Sequence, residues 1–100
     1  MPQSNHLTFI ETDTLRIGFE TSGPPEAPAV ILVHGWPDDV RTWDAFLRPL
    51  RAAGYRVIRP YLRGYGPTRF LAGATPRNGE PAALAVDTVA LMDALGIGAA

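Results

Sequence analysis

The residues best equipped for chemistry form one short run, His34-Gly35-Trp36-Pro37-Asp38-Asp39. Gly35 permits a positive φ or a close backbone approach. Pro37 fixes the next turn and brings no N–H of its own. Between them the Trp36 N–H is a backbone donor held in place, and such a donor aimed into a cleft stabilises an oxyanion as it develops. His34 has two readings, a catalytic base or an imidazole that hydrogen-bonds the loop; its place directly before Gly35 favours the second. Asp38 is a candidate substrate contact. The plainer account of Asp38 and Asp39, carboxylates favoured by the dipole at a helix start, carries equal weight.

Composition removes most competing chemistries. There is no Cys, hence no disulfide framework, thiolate nucleophile or zinc–thiolate site. All basic residues are Arg, so a Walker-type lysine or a Schiff base is excluded. His6 and His34 are the sole histidines, and their separation argues against a structural metal cluster; no metal and no cofactor are expected. A net charge of −1 gives no field for nucleic acid. Arg63-Gly64-Tyr65-Gly66 mimics half of an RNA-recognition signature, but Pro67 stands where that signature needs an aromatic. Arg69 and Arg77 are most simply solvated loop charges. No apolar run approaches the roughly 20 residues of a helical membrane span. Met1–His6 has no basic region leading into an apolar run, so a cytoplasmic, soluble protein is expected, with no membrane partner.

The elements that must position the run follow from periodicity. Leu7 and Phe9, then Leu15, Ile17 and Phe19, alternate with polar residues around a break at Glu11-Thr12-Asp13, predicting an antiparallel hairpin over 7–11 and 14–20 with these residues on its buried face. Thr21–Pro28, with its prolines, reads as a surface loop. Ala29–Val33 is apolar without alternation, as in a strand covered on both faces. Thr42 can cap a helix whose buried stripe is Val40, Trp43, Leu47 and Leu50. Pro49 predicts a kink or break before Leu50, and Gly54 a C-terminal cap. Tyr55–Arg59 is a second short strand. Pro60–Glu80 reads as a long loop with at most one helical turn. Pro81 opens a second helix with Leu84, Thr88, Leu91, Met92 and Leu95 on one face, and Gly96 ends it. The order, hairpin, strand, helix, strand, loop, helix, predicts an α/β layer with a largely parallel core, in which 29–33 and 55–59 pair in parallel. His34–Pro37 then lies at the carboxyl end of a strand, where open α/β sheets bind ligands.

Three segments in register resemble the α/β-hydrolase superfamily, and within it the epoxide hydrolase and haloalkane dehalogenase-like branch. Val30–Pro37 is similar to that branch's third strand and oxyanion loop. Gly54–Gly66 is similar to its fourth strand and following loop, and Ala85–Gly96 to the helix before the nucleophile strand. The resemblance covers residues 7–100. Trp-Pro after Gly35 resembles the epoxide hydrolases, whereas many esterases and lipases carry further Gly there. Tyr61 departs from the pattern: the family more often has Asp before Leu-Arg-Gly, so the carboxylate contact which that Asp would make to Arg63 or its neighbours is not implied for position 61.

The resemblance implies the N-terminal portion of a single α/β-hydrolase domain over 1–100, an antiparallel hairpin followed by βαβ with a mostly parallel sheet, truncated before the nucleophile elbow. The elbow has the form Gly-x-Asp/Ser-x-Gly; Ser4 and Ser22 are not so flanked, and Asp87 and Asp93 fall in a helical pattern. The implied chemistry is attack by an Asp carboxylate on a small-molecule epoxide and hydrolysis of the resulting alkyl ester, with Trp36 N–H holding the oxyanion, His34, Gly35 and Pro37 supporting the loop, and a cis Trp36–Pro37 peptide. The nucleophile, its His base, the acid and the ring-opening Tyr donors would follow Ala100. Two alternatives stand beside this: an inactive fragment or interaction module, self-associating through the open strand edge of Ala29–Val33, and a serine esterase-type hydrolase, disfavoured by Trp36-Pro37.

Overall fold

The computed structural model describes residues 6–34, 40–73 and 81–100. Its strands are β1 (His6–Glu11), β2 (Leu15–Ser22), β3 (Ala29–Ile31), β4 (Arg56–Pro60) and β5 (Arg69–Phe70). A 3-10 turn, Val40–Trp43, leads into α1 (Asp44–Ala52), and α2 is Pro81–Leu95. The strands form one sheet in the order β1-β2-β4-β3, with β5 on β2. The expected parallel pair is present, Val30 opposite Val57 and Ile31 opposite Ile58, and Leu32 N–H extends it to the Ile58 carbonyl at 2.9 Å. The expected hairpin is present too. Parallel character is confined to β3–β4; the other pairings among the described strands are antiparallel, because β2 meets β1, β4 and β5 head to tail.

The core is the face carrying Leu15, Ile17, Phe19 and Ile58, closed by Leu91 of α2. Alternation sends Val57 and Arg59 to the opposite face, where Arg59 reaches Asp44 of α1. A helix therefore covers each face of β4, whose Val57, Ile58, Arg59 and Pro60 are all buried.

Several expectations shift by one residue or more, each for a physical reason. Leu7 and Phe9 are not on the core face of β1. Ile10 lies opposite Ile17, and cross-strand partners share a face, so Ile10 packs on the core while Leu7 is exposed. Phe9 instead stacks under the Arg16 guanidinium at 3.8 Å. The loop begins at Gly23 rather than Thr21, since Thr21 and Ser22 still pair with Ile58 and Val57. β3 stands at the sheet edge with its residues only partly buried; the strand covered on both faces is β4.

Pro49 does not break α1, which runs through it to Ala52. The bond that Pro49 cannot make would go to the carbonyl of Ala45, an exposed residue of the first turn. Trp43, not Thr42, occupies the N-cap, without a side-chain cap bond. Leu47 of the predicted stripe is buried and Trp43 and Leu50 are partly so; the side chains of Val40 and Thr42 lie outside the described residues. The helix stops at Gly54, φ +90°, where Gly54 N–H bonds Arg51 O and Tyr55 N–H bonds Leu50 O, the paired closure of a Schellman motif. α2 begins at Pro81 and ends before Gly96, as predicted. β5 falls inside the stretch read as loop; two residues are too few to leave a periodic signal.

No helix among the described residues is long and apolar enough to cross a membrane.

Gly18 sits where β2 meets the loop after β4. A Cβ there would lie 2.5 Å from Pro67 Cγ, a ring atom that cannot swing away. Gly18→Ala is expected to cost about 1–3 kcal/mol, read as a lowered urea midpoint with an unchanged slope.

Candidate functional site

β3 and β4 end side by side, so the residues after them share one edge of the sheet. His34, from the β3 side, is 2% exposed. Its Nε2 accepts the Leu62 N–H at 3.1 Å, so the neutral ring carries its proton on Nδ1. Tyr65 meets the imidazole edge-on at 5.0 Å, and Tyr61 does so at 6.4 Å. Nε2 is thus occupied by a backbone donor, an arrangement that supports a loop and not one that takes a proton from a nucleophile.

The partner loop is anchored to β2. Tyr61 N–H donates to Gly18 O at 2.8 Å. Thr68, fully buried, accepts the Gly18 N–H at 3.0 Å and donates its hydroxyl to Tyr61 O at 2.8 Å. Between these anchors Tyr65 N–H bonds Leu62 O and Thr68 N–H bonds Tyr65 O. Gly66 has φ +48°, and a Cβ there would strike the Tyr61 ring at 2.6 Å. Arg69 is exposed, as a solvated charge would be, and bonds the carbonyls of Gly66 and Thr68.

The carboxylate that Tyr61 cannot provide comes from α2. Asp87 takes Arg63 Nε and Nη2, each at 2.7 Å. This hydrogen bonding holds the Arg63 guanidinium above its usual range, against the opposing effect of burial. Asp87 and Thr68 were not read as site residues from the sequence. Asp87 did leave a signal: it lies on the apolar stripe between Leu84 and Leu91, where a buried carboxylate needs a partner. Thr68 left none, since its two partners are fixed by tertiary contact alone.

Gly35, Trp36, Pro37, Asp38 and Asp39 lie outside the described residues, and the expected donor geometry, substrate contact and cis peptide with them. No group of three or more His, Asp or Glu residues able to hold a metal occurs among the described residues. The void lined by Leu15, Ile17, Leu62, Arg63, Asp87 and Leu91 measures ≈ 10 Å³. That is room for about one water and not for a substrate.

A mixed sheet flanked by helices, with a hydrogen-bonded loop at its strand ends, defines an α/β scaffold. The chain belongs to the alpha/beta hydrolase fold family, whose model matches residues 28–100. It is 36% identical over 97 residues to epoxide hydrolase 3 of Siraitia grosvenorii, covering 97% of this chain and 29% of that protein. It is 36% identical over 91 residues to a 2-heptyl-3-hydroxy-4(1H)-quinolone dioxygenase of Mycobacteroides abscessus, covering 91% of this chain and 32% of that one. The crystal structure of a candidate epoxide hydrolase from Klebsiella pneumoniae superposes with a TM-score of 0.86 at 51% identity, over 90% of this chain and 30% of that one. The chain thus spans 29–32% of the length of these relatives. The likeness is to the epoxide hydrolase-like branch, as the sequence motifs indicated.

Thr68→Val keeps the shape and deletes the hydroxyl, leaving the Gly18 N–H and the Tyr61 carbonyl without their partner. The expected loss is about 1–3 kcal/mol of stability, measured by urea unfolding, with Thr68→Ser recovering most of it.

Proposed function

We propose that this chain is the N-terminal portion of a single α/β-hydrolase domain acting on small-molecule epoxides, and that it supplies the oxyanion-binding loop. The observation that carries the reading is His34: buried, at the end of the β3 line, and tied through Nε2 to the loop after β4, directly before the Gly35-Trp36-Pro37 run. In this reading Trp36 N–H stabilises the oxyanion during ester hydrolysis, and His34, Gly35 and Pro37 hold the loop. Asp38 is a substrate contact. The carboxylate nucleophile, its base and the acid come from the part of the relatives' length that this chain does not span. The cytoplasmic setting and the small-molecule partner belong to the same proposal; self-association through the β3 edge belongs to the rival reading of an inactive fragment or interaction module.

The test is a chimera in which this chain replaces the matching segment of the Siraitia grosvenorii epoxide hydrolase. The chimera turns over an aryl epoxide. Replacing the Trp36 peptide link by an ester deletes the N–H and keeps the indole; it lowers kcat by about 10²–10³, the usual cost of one oxyanion donor. A folded chimera with no turnover, or one indifferent to the ester link, refutes the proposal.

The purified 100-residue chain by itself hydrolyses neither an aryl epoxide nor an activated ester above background, since its residues hold no nucleophile–base pair. His34→Ala is the control: turnover that disappears in this variant would make His34 a base after all.

A further inference from the structure

Arg63 and Asp87 lie outside the run assigned to oxyanion binding, yet contacts in series join them to it. Asp87 is 8% exposed on α2 and receives two parallel donors from Arg63. Such a fork fixes the orientation of the guanidinium as well as its distance. The Phe70 ring, 5.3 Å from Arg63 Cζ, bounds it on another side. The residue before Arg63 is Leu62, whose N–H meets His34 Nε2. The residue after it is Gly64, φ +78°, in the conformation that lets the chain turn at this point. His34 itself leads directly into Gly35.

We infer that Arg63 and Asp87 are a positioning pair: by fastening the Leu62–Gly64 turn to α2 they aim the Leu62 N–H at His34 Nε2, fix the imidazole as its Nδ1–H tautomer, and so set the residue from which the 35–39 segment departs. Neither residue touches reacting atoms. The inference rests on the reading of Trp36 as the oxyanion donor and names what holds that loop's first residue in place. A lysine at 63 would keep the charge but not the fork.

The test is nuclear magnetic resonance on the nitrogen-15-labelled chain, with no turnover read. In the wild type the His34 ring shows the Nδ1–H pattern and the Leu62 amide is protected from exchange. Asp87→Asn is expected to speed Leu62 exchange at least about tenfold by local opening and to mix the His34 tautomers, while the β1–β2 amides change less than about twofold. Asp87→Glu, which retains the carboxylate, restores the wild-type tautomer. If Asp87→Asn does not fold, Arg63→Lys is read in the same way. An unchanged tautomer and Leu62 amide in a folded variant overturn the inference. So does acceleration spread equally over β1–β2, or unfolding of both variants, because the pair would then hold the whole core and not one turn. Failure here leaves the chimera result standing; an inactive chimera removes the pair's link to oxyanion binding and leaves its hold on Leu62 and His34 to be decided by these spectra.

Discussion

The backbone that leaves β4 must satisfy its buried polar groups without a strand beside it. Beyond Pro60 the ladder to β2 has one more bond, Tyr61 N–H to Gly18 O, and then the chain turns away. An unpaired backbone group in that position costs about as much as a lost hydrogen bond. Two side chains meet the requirement, one from later in the same loop and one from the β3 side. Thr68 bridges Gly18 and Tyr61, and His34 receives Leu62. The buried polar groups at the start of the loop after β4 are thereby satisfied, and the Leu62 N–H is bonded to the imidazole of His34.

Charge performs the longer-range fastening, on both faces of the sheet. On one, Arg59 is 1% exposed and binds Glu20 of β2 and Asp44 of α1, with Arg41 added to the same carboxylates. On the other, Arg63 joins Asp87 of α2. Arg59–Glu20 and Arg63–Asp87 are largely buried, whereas Arg41 and Asp44 are about half exposed. Burial adds little net stability to such a pair, since desolvation offsets most of the attraction.

The matched relatives carry this part of the fold in about a third of their length. It is shared by proteins named for different chemistries, an epoxide hydrolase and a dioxygenase among them. A fold does not dictate a reaction, so one scaffold can serve several. Among the described residues, exposed apolar surface includes the side of α2 that carries Val86 and Val89, and β3 stands at the sheet edge.

The elements and their order were legible in the sequence because they rest on local rules. Val/Ile-rich runs made β3 and β4, and prolines and glycines marked where helices start and stop. Of the His-Gly-Trp-Pro run the structure describes His34, which lies just past the end of β3 as its place in the sequence implied. Faces and partners were not legible. The choice of Ile10 over Phe9 for the core depends on which residue of β2 lies opposite, and that is decided only when the hairpin closes in register. The resemblance offered a carboxylate for Arg63 at position 61, two residues back, where this chain has Tyr; the carboxylate that Arg63 meets is Asp87, 24 residues on. Composition and spacing determined which groups this protein has for chemistry and on which elements they sit; the tertiary structure alone decided which of them meet, because a hydrogen bond depends on distance and angle in space and leaves no period in the sequence.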